Sequence, residues 1–112
     1  MANIYDLANE LSRTLRDLPE YKAVVESKQA IEANPEAKKL FDEYVAFQNK
    51  LQGLMQSGQL PTEAVQQEMK DYMEKIQASP IVNEFFTKQQ QLSIYLADLE
   101  KIIFEPIQDL YK

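Results

Sequence analysis

The sequence predicts an all-α fold, a five-helix bundle that ends in a long C-terminal helix. Three observations carry this expectation. No segment alternates apolar and polar residues as a half-buried strand would. Ala, Leu, Glu, Lys and Gln, all good helix formers, recur throughout the chain. Four of the five prolines stand where a helix would begin, at the position where a missing N–H has no partner to lose. The segments so marked are about 3–17, 19–33, 35–57, 61–78 and 80–111, in a single helical domain over residues 1–112.

The first helix carries Ile4, Leu7, Ala8, Leu11, Leu15 and Leu18 at helical spacing, which gives it a clean one-sided face. The second, opened by Pro19, has only Tyr21, Val24, Val25 and Ile31 around Lys28 and is expected at the rim. Asn34 before Pro35 supplies a capping side chain for the third. That helix bears a broad stripe from Leu40 and Phe41 through Tyr44, Val45, Phe47, Leu51 and Leu54 to Met55. Gly53 lies on its polar side, where it softens the helix or admits a close contact, and Gly58 in QSGQLP suits the left-handed residue that ends it. The fourth starts at Pro61, with Thr62 as an alternative cap, and offers Val65, Met69, Tyr72, Met73 and Ile76. Ser79 before Pro80 caps the fifth.

On an ideal helix, Ile81, Phe85, Leu92, Leu96, Leu99, Ile103 and Leu110 fall within roughly 40° of one line. Tyr95, Ile102 and Ile107 flank this seam, Val82, Phe86 and Phe104 lie about 80–120° to one side, and Ile94 is nearly opposite. So wide an apolar surface has two explanations: the other four helices wrap the fifth, or part of it meets a second subunit. A continuous helix from Pro80 would be roughly 45 Å long, against a radius of gyration near 13 Å for a compact domain of this size. Such a helix protrudes, and its apolar side chains form a patch larger than monomers usually tolerate. The expectation is a homodimer built on the third and fifth helices, with Phe47, Leu51, Leu92, Tyr95, Leu96, Leu99, Ile103 and Phe104 as the self-association interface.

Composition narrows the function further. The chain has no His and no Cys, which removes the commonest general base, the best thiol nucleophile, Cys-ligated metals and disulfides. Its only two glycines form no phosphate-binding loop. Ser27–Lys28, Asp42–Glu43 and the group Asp98, Glu100 and Glu105 read as solvated helix faces. The expectation is therefore no enzyme, no catalytic residue, no metal and no cofactor. A formal net charge of −6, with no basic run beyond Lys38–Lys39, disfavours direct nucleic-acid binding. No window approaches the ~18 apolar residues of a membrane span, and MANIYDLANEL does not look like a signal peptide, so a cytoplasmic protein is expected. Gln48, Gln52 and Gln89 sit on or beside apolar faces, where amides either fix register or meet water. Tyr44, Tyr72 and Tyr95 read as core residues with hydroxyls at the rim.

The run IYDLANELSRTL, then LPEYKAVVESKQAIEANPEAKKLFDEYVAFQNKLQ, the connection SGQLP and the late SPIVNEFF resemble the YlbF/YmcA family of small helical bacterial proteins, and within it the YheA-like branch. The likeness spans essentially the whole chain and rests on helical spacing and proline positions. It implies a self-associating all-helical protein of Gram-positive bacteria. It also implies kinship with non-enzymatic regulatory partners in competence, sporulation, biofilm formation and RNA maturation, within complexes that influence a ribonuclease. An accessory role in RNA processing is the alternative reading on that ground. Cysteines hold an iron–sulfur cluster in such relatives; this chain has none to offer.

Overall fold

Capping side chains set most of the helix boundaries in the computed structural model, which describes residues 3–112. The helices are α1 (Ile4–Asp17), α2 (Pro19–Glu32), α3 (Pro35–Gln56), α4 (Glu63–Gln77) and α5 (Pro80–Asp109). Asn3 caps α1 through its side-chain oxygen, which accepts from the Tyr5 N–H at 2.8 Å. Asn34 does the same for α3, accepting from Ala37 at 3.0 Å, with Pro35 in the first turn. Leu18 is extended, as a residue before proline should be, and separates α1 from α2. The fourth helix starts from its alternative cap: Thr62 accepts from Val65 at 3.2 Å, which leaves Pro61 outside the helix. The hydroxyl wins because it satisfies an N–H of the first turn that Leu60, the cap of a helix begun at Pro61, would leave bare.

Gly58 ends α3 as its sequence position suggested. Its φ is +81°, and the Gly58 and Gln59 N–H groups donate back to Met55 and Leu54 carbonyls at 3.1 and 3.0 Å. This double bond pattern closes the helix and requires the left-handed residue. Gly53 has no atom within 4 Å of where a Cβ would stand, so it serves no close contact. α5 continues through Pro106 to Asp109, losing only the hydrogen bond that residue 106 would donate to Ile102.

The chain forms two compact units, and α2 and α5 each contribute to both. The central unit, Ser27–Phe85, contains α3, α4, the end of α2 and the start of α5. Its core joins Phe47 and Leu51 of α3 to Val65 of α4, with Leu54, Met69 and Tyr72 packed against them. The Tyr72 ring meets Tyr44 edge-on at 5.9 Å and Phe47 at 5.1 Å. Phe41 and Phe85 form a second edge-on pair at 5.2 Å, and the Lys28 ammonium lies 4.5 Å from the centre of the Phe41 ring. Ile31 and Val82 are fully buried. Ile31 anchors the end of α2 in this core although much of that helix is exposed, and Ser27, read as solvated, is buried. Sparse apolar spacing understated α2 because one well-placed isoleucine suffices when neighbouring helices close over it.

The α1–α5 unit comprises the described residues up to Glu26 together with Phe86–Lys112. Among the described residues it holds one buried apolar side chain, Leu92. No residue of α1 is buried.

The two glycines make opposite predictions. Gly58→Ala forces a left-handed alanine and lowers stability by about 1 kcal/mol, whereas Gly53→Ala removes backbone freedom from a helix interior and raises it by about 0.5–1 kcal/mol. Urea denaturation of both variants measures the signs; equal shifts in one direction would contradict this account.

Candidate functional site

The side chains that distinguish this molecule lie along α1 and the second half of α5. Heavily exposed apolar groups recur there at helical spacing: Ile4, Leu7 and Leu11 on α1, and Leu96, Ile103, Phe104 and Ile107 on α5, with Leu110 just past its end. Ile103 is 59% and Phe104 49% exposed, values that a core position would not show. Leu99 is half-buried. Ile94, on the far side of α5, is 64% exposed.

Between the two helices runs a cleft of about 410 Å³. One wall is Ala8, Leu11, Ser12 and Leu15 of α1; the other is Leu96, Leu99, Glu100, Ile103 and Phe104 of α5. Glu100 is the one charged group in this lining. An apolar groove between helices suits a third helix laid along it.

The eight residues expected at a self-association interface divide between two environments. Phe47 and Leu51 are buried in the α3–α4 core and Leu92 is buried as well, so all three already have neighbours within the chain. Tyr95, Leu96, Ile103 and Phe104 are exposed and Leu99 half-buried, and the last four of these line the cleft. The reading of a last helix wrapped on all sides fails: after Leu92 no residue of α5 is buried. Sequence reasoning missed the α1 wall, although the one-sided face of that helix was its signal.

Tyr95 also departs from expectation. It is 40% exposed rather than in the core, and its hydroxyl donates to Oε1 of Glu20, in the first turn of α2, at 3.0 Å. The other carboxylate oxygen of Glu20 is buried without a hydrogen-bond partner among the described residues. The tie joins positions 75 residues apart and fixes the start of α2 to α5 beside the cleft. Gln48 is half-buried and donates to the Tyr44 hydroxyl at 2.8 Å, while Gln52 and Gln89 are exposed to water.

Several other charges form surface pairs. Glu32 accepts from Lys28 and, at 3.2 Å, from Lys38, which also reaches Asp42 at 3.1 Å. The two ammonium groups hold the Glu32 carboxyl below the usual value, and Asp42 and Glu32 hold Lys38 above its own. Exposed pairs of this kind contribute little to stability. Among the described residues no group of three or more Asp or Glu side chains could hold a metal ion. No helix among them is long and apolar enough to cross a membrane.

The Tyr95–Glu20 contact predicts a titration. The hydrogen bond to Glu20, its negative charge and partial burial raise the Tyr95 phenol above 10.0. The neutral phenol is therefore favoured by folding, so the stabilisation is present at neutral pH and lost as pH climbs above 10.0. In Glu20→Gln the charge is gone and Tyr95 should titrate at lower pH, read from its ring-carbon NMR shift. An unchanged midpoint would mean that the contact does not exist in solution.

Comparison with known proteins agrees with this architecture. The family described as "Control of competence regulator ComK, YlbF/YmcA" matches residues 4–108. A UPF0342 protein of Streptococcus gordonii is 70% identical over the full length of both chains, one of Streptococcus sanguinis is 64% identical and one of Streptococcus pneumoniae 57%. A Bacillus stearothermophilus structure titled "Protein of Unknown Function (DUF964)" superposes with a TM-score of 0.83. That likeness covers 97% of this chain and 96% of that one at 17% identity, so it speaks for the fold alone. Helix order, proline-marked boundaries and a match over nearly every residue lead to one conclusion: the chain belongs to the YlbF/YmcA family.

Proposed function

We propose that this protein is a non-enzymatic helical adaptor that acts by presenting helix surface to other proteins, beginning with a second copy of itself. The observation that carries this reading is the uncovered apolar face of the α1–α5 unit. Eight large apolar side chains, Ile4, Leu7 and Leu11 of α1 and five from Leu96 to Leu110, each between 38% and 77% exposed, leave on the order of 800 Å² uncovered, one partner's share of a standard interface. A monomer seldom keeps so large a contiguous patch in water. The family's description, control of a competence regulator, supports a regulatory rather than a catalytic role. The absence of His and Cys from the sequence points the same way.

In this reading Tyr95, Leu96, Leu99, Ile103 and Phe104 meet the partner, joined by the exposed face of α1, while Phe47, Leu51 and Leu92 hold the chain itself together. Leu96→Glu together with Ile103→Glu should convert a dimer into a monomer of unchanged helicity, measured by sedimentation equilibrium and circular dichroism. A wild-type chain that sediments as a monomer at hundreds of micromolar would sink the self-association reading.

A further inference from the structure

We infer that α1 is a hinged strap: the chain is pinned to α5 just beyond Leu18, and α1 swings about that residue so that its N-terminal turns lift from or close on the second half of α5. The motion lies within one chain and stands whatever partner the exposed face meets. The joint is a single residue. Leu18 lies between α1 and α2 with φ −64° and ψ 138°, and the two backbone hydrogen bonds at this corner both end on it: its N–H donates to the Leu15 carbonyl, and its carbonyl accepts from the Lys22 N–H. Pro19, which follows, has no N–H with which to reach back to α1. Hinges are element-terminal residues of this kind, which absorb changes in φ and ψ.

Past the joint the chain is held. The Tyr95 hydroxyl donates to Oε1 of Glu20 at 3.0 Å, and Oε2 of the same carboxylate is enclosed. Before the joint the hold weakens with distance from it: Leu18 and Leu15 are half-buried, Leu11 is 38% exposed, Leu7 52% and Ile4 74%. The other wall follows the same trend. Leu96 and Leu99, beside the pin, are partly covered, whereas Ile103 is 59% and Leu110 77% exposed. Two helices fastened at one end and splayed at the other produce this pattern.

A small rotation at the joint makes a large displacement at the tip. The 14 residues of α1 span about 21 Å, so a change of about 20° at Leu18, no more than the ordinary scatter of a backbone torsion, carries Ile4 roughly 7 Å. That approaches the distance between the axes of two packed helices. No side chain of α1 is buried, so the swing empties no core position. Closing narrows the cleft, and opening bares its Leu99 and Ile103 wall. The apolar surface on offer is therefore adjustable in width.

Spin-label distance measurements on the full chain test this, since the sequence has no cysteine and a label goes only where one is placed. A label at Asp98→Cys on α5 is paired with Arg16→Cys near the joint or with Asp6→Cys near the tip, each labelled chain diluted in excess unlabelled chain so that only distances within a chain are read. The Asp6 pair should give a distance distribution at least roughly twice as wide as the Arg16 pair, because displacement grows with distance from the pivot. A third pair, Asp6→Cys with Arg16→Cys, should stay narrow because α1 moves as one rod. Tyr95→Phe should widen the Arg16 pair while circular dichroism shows unchanged helicity. Equal widths for the first two pairs overturn the strap. A broad third pair also overturns it, since the helix end is then fraying rather than swinging, and an Arg16 pair indifferent to Tyr95→Phe overturns the pinned joint.

Discussion

Two packed helices can bury only the side chains along their common seam, and everything distinctive about this protein follows from how each half of the chain meets that limit. In the central unit the limit is relieved. α3 and α4 share Phe47, Leu51 and Val65, and the end of α2 and the start of α5 bring in Ile31 and Val82. Aromatic edges then fill the remaining gaps at Tyr44–Tyr72 and Phe41–Phe85. In the α1–α5 unit little relief comes. Leucines and isoleucines of equal hydrophobicity stay half exposed because no further helix of that unit covers them.

In the proposed reading, the energetics of that second unit favour association without dictating its partner. Completing the burial of a half-exposed Leu, Ile or Phe contributes on the order of 1 kcal/mol, so eight of them supply several kcal/mol toward an interface. Lost translational and rotational freedom consumes much of this gain.

Much of the fold was legible in the sequence because its punctuation is local. Asn34–Pro35, Leu18–Pro19 and Gly58 act through their own backbone geometry, and the structure places helix ends at them. Burial was less legible because it depends on neighbours from elsewhere in the chain. Leu51 and Leu96 sit on equally regular apolar faces, yet one is 8% and the other 44% exposed. Ser27 and Ile31 were hidden by the reverse effect, being the few buried positions of a weakly apolar helix. The cleft was half legible: its α5 wall stood out by its excess of large apolar groups. The α1 wall did not, since an amphipathic helix of ordinary composition usually finds its cover within the same domain.

The division into units also orders the events of synthesis. The central unit is drawn from one uninterrupted stretch, so its contacts can form while later residues are still being added. The α1–α5 unit joins segments as far apart as Glu20 and Tyr95, and α1 must wait for its partner helix until most of the chain has been translated. During that interval Ile4, Leu7 and Leu11 travel unaccompanied, a helix with a sticky face and nothing to adhere to. A nascent chain of this design completes the α1–α5 unit last, once α5 has been made.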